Sequence, residues 1–364
     1  MAPLTSPRLL RRGLELFALI SLAGFGGMLL YGNNLSSFIR TMLTLHWGWL
    51  LVGVCLASLD WFGGGLRLWV LTRHVFPAVK LKGSFLAGGL NTWASYLTPS
   101  QTGGGPMMIY TMKRYGVPLP EAMISALMTF VVTVLFFAVA GPLAVFLGAG
   151  QELEEHGILG QSLSLNDLFR LSLASFIGVG LLMLLAVAFP AIGRRVTETV
   201  ARSLRRRGRD AWAEKVEVLR AGVDRSHGAL VAFFRGRGWI ALAIGVVLTG
   251  TAHANKLLAG YVVLRMLGIH APFVDVLLLQ TLIVFLLYFA PTPGGAGLAE
   301  LLSAAVMSIY VPRELTPSYV LLWRLVVCYL TVGFGSFVFW SWLKGAEGRA
   351  DKLLSDQEIP SANP

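Results

Sequence analysis

The sequence is poor in charged residues and in cysteine. Only 13% of its 364 residues are charged, about half the ~25% share in a soluble domain. The two cysteines, Cys55 and Cys328, lie far apart in apolar segments, so we expect neither a disulfide framework nor a cysteine metal site. The sequence also contains no Walker loop, nucleophile elbow or paired-histidine zinc motif. We therefore expect no cofactor, no metal and no enzymatic activity.

Long apolar segments take the place of the missing charge. Of all residues, 55% are hydrophobic, and the mean hydropathy is +0.68. Several segments approach the roughly 20 residues that span a bilayer. They lie at about 13–31, 47–71, 122–147, 168–189, 239–267 and 317–342. The first lacks a following small-residue cleavage site, which favours a retained anchor over a signal peptide. This pattern predicts an all-α polytopic membrane protein with about six transmembrane helices in a single membrane domain, 1–364.

The net charge of +11 does not indicate nucleic acid, because the positive residues cluster at the ends of the apolar segments. They lie near the N-terminus, in 73–82 and 113–114, in 191–238, and after the last segment. Region 191–238 holds twelve Lys and Arg against five acids. Cytoplasmic loops are rich in Lys and Arg, so we expect a multi-pass protein of the inner or plasma membrane with both termini and this basic loop in the cytoplasm. The loop either binds anionic lipid headgroups or only sets the topology.

Two segments rich in Pro and Gly interrupt the apolar sequence and resemble each other. They read Tyr-Leu-Thr-Pro-Ser-Gln-Thr-Gly-Gly-Gly-Pro at 96–106 and Tyr-Phe-Ala-Pro-Thr-Pro-Gly-Gly-Ala-Gly-Leu-Ala-Glu at 288–300. Pro99 and Pro291 stand 192 residues apart, as do Gly103 and Gly295. Helix-breaking residues at membrane depth require shielding by protein or a wet cavity. Corresponding interruptions in two halves of a membrane protein indicate a transport site.

The charge pattern also predicts how these segments cross the membrane. If either segment formed two full spans, the next basic cluster would lie on the wrong face. We therefore expect two re-entrant hairpins of opposite orientation, 83–112 and 273–310. They belong to an inverted repeat whose units are 47–148 and 239–342.

The candidate substrate-binding residues lie at the two hairpins and in two spans. Backbone N–H groups at a helix start attract phosphate or carboxylate, and glycine lets a ligand approach closely; the same glycines could instead serve tight helix packing. The candidates are Asn91, Pro99, Gln101, Thr102, Gly103, Gly104, Gly105, Tyr110, Lys256, Pro291, Pro293, Gly294, Gly295, Gly297, Glu300 and Arg324.

Ionisable residues inside a membrane usually face a cavity or one another. Arg324 lies about two turns into the sixth span, and Glu300 follows the second tip, so the two can form a pair. Glu300 can also simply be stabilised by the dipole of its helix. Lys256 interrupts the fifth span, which favours a function. Asp60 and Arg67 share one helix face, and structural pairing explains them as well as function does.

Three motifs together resemble a known family. They are Thr98–Tyr110, Lys113–Val117 and Pro291–Glu300, and they resemble the flippase-like membrane domain typified by the transmembrane part of lysylphosphatidylglycerol synthetase, the multiple peptide resistance factor. The resemblance covers about residues 10–345. It implies an inner-membrane protein that moves, or helps to move, phospholipid or lipid-linked material between leaflets.

The chain departs from that family in two respects. No soluble aminoacyl-transferase domain follows the last span, so we expect no lysine transfer to lipid. Many relatives carry an acid where Pro106 stands, and a Glu-Arg pair where Met128 and Thr129 stand. Arg324 therefore has no counterpart in the first repeat.

The sequence as a whole predicts a flippase-like or scramblase-like transporter of an anionic phospholipid or lipid-linked substrate. Two alternatives stay open: a secondary transporter of a small anion, and a membrane-embedded enzyme or accessory protein of lipid or glycan modification. The expected partners are the lipid substrate and anionic headgroups at the basic loop, with no nucleic acid. A homodimer and a partner enzyme of lipid or glycan synthesis are also open.

Overall fold

The computed structural model describes residues 7–31, 35–147, 189–206 and 237–355, together with short groups between 174 and 234. Across these residues the regular structure is helical. Four of the described helices are long and apolar enough to cross a membrane, at Trp47–Val75, Leu119–Leu143, Gly238–Met266 and Arg313–Trp342. The predicted all-α polytopic membrane fold is confirmed. The predicted first span corresponds to a 25-residue helix, Pro7–Tyr31, and the predicted fourth, 168–189, lies mostly outside the described residues.

The helices follow the apolar segments and the breaks between them. Their bounds are α1 Pro7–Tyr31, α2 Leu35–Leu43, α3 Trp47–Val75, α4 Leu81–Tyr96, α5 Gly104–Arg114, α6 Leu119–Phe146, α7 Pro190–Arg206, α8 Gly238–Met266, α9 Phe273–Leu287, α10 Leu298–Met307, α11 Thr316–Arg324 and α12 Leu330–Ser355. A π-helical turn, Leu325–Tyr329, joins α11 to α12. The basic region thus begins as a helix, α7; most of its remainder lies outside the described residues.

Helices α3 and α8 pack against each other as an antiparallel pair. Both have 29 residues. Gly53 near the start of α3 lies against Met266 at the end of α8, and Gly63 in the middle lies against Ala252. A Cβ atom on Gly63 would come within 2.7 Å of the Ala252 backbone. Glycine is therefore needed for the close approach of the two backbones, as at many membrane helix contacts.

Two helical hairpins, α4–α5 and α9–α10, lie between the long helices. Their arms have 10 to 16 residues, fewer than the ~20 that span a bilayer. The start of α4 lies beside the end of α5, because Gly83 packs against the Tyr115 ring. Likewise, the Tyr310 hydroxyl donates to Asp275 Oδ2 at the start of α9, at 3.4 Å. Each hairpin therefore folds back on itself, and the order long helix, hairpin, long helix occurs twice.

The tips of the two hairpins meet. The backbone at Pro99 runs antiparallel to that at Pro293, and the Ser100 N–H donates to the Ala290 carbonyl at 3.0 Å. The largest fully buried side chains of the core include Trp323, Tyr319 and Phe285.

The tips also correct the alignment of the two segments. Two consecutive residues of each tip have left-handed φ angles: Ser100 (48°) and Gln101 (56°) in the first, Gly294 (58°) and Gly295 (67°) in the second. The following helices start at Gly104 and Leu298, at the same offset of 194 residues. The offset of 192, which pairs Pro99 with Pro291, is therefore wrong for the turn. The second segment has two extra residues before it, so Pro99 corresponds to Pro293.

Candidate functional site

Lys256 lies at the point where the two hairpins converge on α8. Its side chain is buried, with 9% exposed. The ammonium lies 5.3 Å from the centre of the Tyr96 ring and 5.9 Å from that of Tyr288. Within the described chain it has no ion pair or hydrogen bond. The two aromatic faces therefore stabilise its charge, through cation–π interactions that strengthen when the cation is desolvated.

The two tyrosines come from equivalent places and are fixed by their hydroxyls. Tyr96 ends α4, and Tyr288 directly follows α9. The Tyr96 hydroxyl donates to the Val327 carbonyl at 2.7 Å, and the Tyr288 hydroxyl lies 2.6 Å from His253 Nε2. His253 Nδ1 lies 2.9 Å from the Thr249 carbonyl, which can only accept. In a neutral imidazole, Nε2 therefore accepts from Tyr288.

The π-helical turn supplies backbone oxygens to this cluster. Side chains donate to the Val326 and Val327 carbonyls: Asn255 Nδ2 reaches Val326 at 3.1 Å, and Tyr96 reaches Val327. A π turn widens the helix and frees carbonyls from the regular ladder, and such turns are frequent at functional sites.

Asp60 and Arg67 are both buried but do not pair with each other. Asp60 Oδ2 accepts from Asn255 Nδ2 at 3.1 Å and from the Thr331 hydroxyl at 2.8 Å. Arg67 Nη1 instead donates to two threonine hydroxyls, Thr133 on α6 and Thr249 on α8, at 3.0 and 3.2 Å. Although the two residues share a helix face, they belong to two separate polar networks. Each network connects α3 to neighbouring helices.

Glu300 and Arg324 form the pair that the sequence predicts. Arg324 Nε donates to Glu300 Oε1 at 2.9 Å, with both side chains almost completely buried. The other carboxylate oxygen accepts from the Gly297 N–H at 2.7 Å, and Arg324 Nη1 donates to the Gly294 carbonyl at 3.0 Å. The carboxylate therefore already occupies the start of α10, where the sequence predicts a substrate anion. The pair joins the second tip to α11.

The first tip is more open than the second. Pro99, Thr102 and Pro106 are exposed, whereas Pro293 and Gly295 are buried. A Cβ atom on Gly105 would meet no atom within 4 Å, and Pro106 contributes no N–H. The start of α5 therefore has open space around Gly105.

The other predicted residues are divided between the tips and more distant places. Asn91 lies beneath the start of α5, since a Cβ on Gly104 would come within 2.6 Å of its Oδ1. Gly103 donates its N–H to the Thr98 hydroxyl at 2.8 Å. Tyr110 does not lie at the tip: it faces Arg114 and Trp342 at the far end of α5. Pro291 is exposed beside the second tip.

A surface groove of about 400 Å³ lies between the end of α3 and the start of α8. Its walls are apolar, including Trp69 and Ile244, and its rim carries Arg73, His74 and Arg237. The Arg73 guanidinium lies 4.8 Å from the centre of the Trp69 ring. The groove thus combines an apolar surface with positive charge.

The family model for the lysylphosphatidylglycerol synthase TM region matches residues 16–335. The chain belongs to this family. The match covers the first three described spans, both hairpins and most of the fourth span, and it suggests a lipid-related function for this membrane protein. No curated protein matches the chain, and no solved structure does.

Sequence reasoning missed several residues of the site in this family member. Tyr96 and Tyr288 open the two similar segments, so their repetition at matching positions was a usable signal. Thr331 and the Val326 and Val327 carbonyls gave no such signal, because the sequence does not reveal the π turn that brings them to the cluster.

Proposed function

We propose that the protein is a flippase-like or scramblase-like lipid transporter that moves an anionic phospholipid or lipid-linked substrate between leaflets. The observation that carries this proposal is the buried Lys256 ammonium between Tyr96 at the end of α4 and Tyr288 just after α9. An ionisable residue at membrane depth is by default a functional residue. A lysine that contacts ring faces and has no ion pair or hydrogen bond among the described residues can exchange those faces for an anionic headgroup.

Both hairpins are re-entrant in this proposal, and the two units, 47–148 and 239–342, form an inverted repeat. The short arms and the adjacent ends of each hairpin support this arrangement. The antiparallel packing of α3 against α8, the first long helix of each unit, supports opposite orientations. The positive-inside rule then places both termini in the cytoplasm, in the inner or plasma membrane.

Binding begins with an anionic headgroup at Lys256 and at the open start of α5. Insertion measurements put the cost of a charge at the bilayer centre at about 2.5–3.5 kcal/mol, and a pair between phosphate and ammonium reduces that cost. The acyl chains stay in the bilayer while one repeat rocks against the other. The Glu300–Arg324 pair holds the backbone of the second tip in one conformation during this motion.

The groove beside Arg73 and Arg237 fits the entry of the same substrate. Basic residues near the cytoplasmic surface attract anionic lipids by about 1 kcal/mol each. The apolar wall of the groove can take the first part of an acyl chain, so the groove can collect lipid from the cytoplasmic leaflet.

Leaflet exchange in liposomes that contain the purified protein tests this proposal. Labelled phosphatidylglycerol and phosphatidylcholine are compared at equal protein density, with empty liposomes as the baseline. We expect exchange above the baseline, faster for the anionic lipid. Exchange of neither lipid above the baseline would contradict lipid transport and would favour a small soluble anion as the substrate.

A further inference from the structure

The buried Asp60 and Asn255 side chains each have one oxygen without a partner in the part of the chain that the structure describes. Asp60 is 1% exposed and Asn255 is fully buried. Asn255 Nδ2 donates to Asp60 Oδ2 and to the Val326 carbonyl, both at 3.1 Å. Its two hydrogens are then used. Asp60 Oδ1 and Asn255 Oδ1 have no hydrogen-bond partner among the described residues.

The orientation of the Asn255 amide is fixed by its neighbours. The Val326 carbonyl can only accept, so it must face the nitrogen rather than the oxygen of the amide. Asn255 Oδ1 is therefore an acceptor, and Oδ1 of an ionised Asp60 is an acceptor as well. Each buried acceptor without a donor costs about 1–3 kcal/mol.

A single proton would satisfy both atoms. We infer that Asp60 is a proton-binding site, in which Oδ1–H donates to Asn255 Oδ1 while Asn255 Nδ2–H donates to Asp60 Oδ2. The two side chains then form a closed acid–amide pair. The Thr331 hydroxyl still donates to Oδ2 at 2.8 Å, because a carbonyl oxygen accepts two hydrogen bonds. The proton comes from water and returns to water, and no other bond changes.

A metal cation fits this place less well than a proton. Hard cations bind six or more oxygens from carboxylates, carbonyls and water. Here the Asn255 N–H groups already point to Asp60 Oδ2 and the Val326 carbonyl, two of the oxygens that such an ion would need. The described residues also contain no group of three His, Cys, Asp or Glu side chains that could hold a metal.

The proton controls the charge that faces Lys256. Three titratable groups interact electrostatically with Asp60. They are Lys256 on α8, Tyr96 on α4 and Cys328 in the π turn. Among these only Lys256 is cationic. An ionised Asp60 competes with a substrate anion for the field of Lys256, and a protonated Asp60 does not. Protonation and anion binding are therefore linked, each favouring the other; this last step rests on the proposed function at Lys256.

Infrared spectroscopy of the purified protein tests the proton directly. At neutral pH, we expect the difference between wild type and Asp60→Asn to contain the carbonyl stretch of a neutral carboxylic acid. Thr331→Val should shift this band without removing it, because one donor to Oδ2 is lost. A difference spectrum without a carboxylic acid band would show that Asp60 is ionised and would overturn the inference.

Stability gives a second readout that does not depend on transport. Asp60→Asn reproduces the protonated pair, since an amide N–H replaces the O–H toward Asn255 Oδ1. We expect its melting temperature to equal or exceed that of wild type. Above the pKa of the unfolded carboxyl, unfolding releases this proton into water, so wild type should lose more stability than Asp60→Asn as the pH rises. A loss in Asp60→Asn as large as that in Asp60→Leu would contradict the pairing.

Binding of a short-chain phosphatidylglycerol across a pH series tests the linkage. We expect the affinity of wild type to fall severalfold as the pH rises, and that of Asp60→Asn to stay constant. Equal pH profiles would overturn the linkage. No binding at any pH, beside a clear carboxylic acid band, would count against the proposed function and leave the proton site standing.

Discussion

Breaking the Glu300–Arg324 pair should destabilise the protein more than removing it entirely. Glu300→Gln leaves the buried guanidinium opposite a neutral amide, although the amide oxygen can still accept from the Gly297 N–H. Arg324→Met leaves the carboxylate with that single N–H donor among its present partners. Removing one partner of a buried pair typically costs about 3–5 kcal/mol, because a buried charge stays uncompensated.

The double variant should be more stable than either single variant. Glu300→Gln with Arg324→Met buries no charge, and replacing both partners of a buried ion pair is often close to neutral. The contact from Arg324 Nη1 to the Gly294 carbonyl is still lost, which costs about 1.5–3 kcal/mol for a hydrogen bond from a charged group. The double variant should therefore lie between wild type and the single variants.

Thermal unfolding in detergent, with all four proteins at one scan rate, measures this order. Membrane proteins often unfold irreversibly, so the ranking of melting temperatures is the readout. A double variant whose loss equals the sum of the single losses would show that the two residues are not coupled. The role of the pair in fixing the second tip would then be refuted.

Two further predictions concern the helix contact and the tips. Gly63→Ala should lower the melting temperature, because its Cβ would meet the Ala252 backbone at 2.7 Å. Gly48→Ala in the same helix places its Cβ in open space and should not lower it. Equal melting temperatures for the two variants would contradict the close contact. A disulfide between Ser100→Cys and Ala290→Cys, in a Cys55→Ser background, should stop leaflet exchange until it is reduced, because it joins two tips that share a hydrogen bond of 3.0 Å from Ser100 N–H to the Ala290 carbonyl. Exchange that continues with the disulfide intact would show that the tips need not separate.

Much of the fold was predictable because the membrane imposes simple rules on the sequence. Apolar segments of about 20 residues predict spans, and the helices at Trp47–Val75 and Gly238–Met266 follow them closely. The two breaks were visible because Pro and Gly are costly inside a helix. The predicted pair of Glu300 and Arg324 is also present, since two isolated opposite charges at membrane depth have few other partners.

The details of the site depended on geometry that the sequence does not encode locally. Sequence similarity aligns Pro99 with Pro291, but the residues with left-handed φ angles show that Pro293 is the equivalent position. The π turn at Leu325–Tyr329 arises in an ordinary apolar segment, so the carbonyls that accept from Asn255 and Tyr96 could not be predicted. Glu300 was expected to help bind a substrate, yet its carboxylate caps α10 itself, because a helix start can be satisfied by an acid of its own first turn.

The most direct test of the account is leaflet exchange by Lys256→Met beside wild type. Lys256 is the buried cation on which both hairpins converge, and methionine keeps most of its apolar volume. Lys82→Met removes an exposed positive charge at the start of α4 and serves as the matched control. We predict that exchange of the anionic lipid falls to the empty-liposome rate in Lys256→Met and stays near wild type in Lys82→Met. Unchanged anionic exchange in a folded Lys256→Met protein would contradict the account.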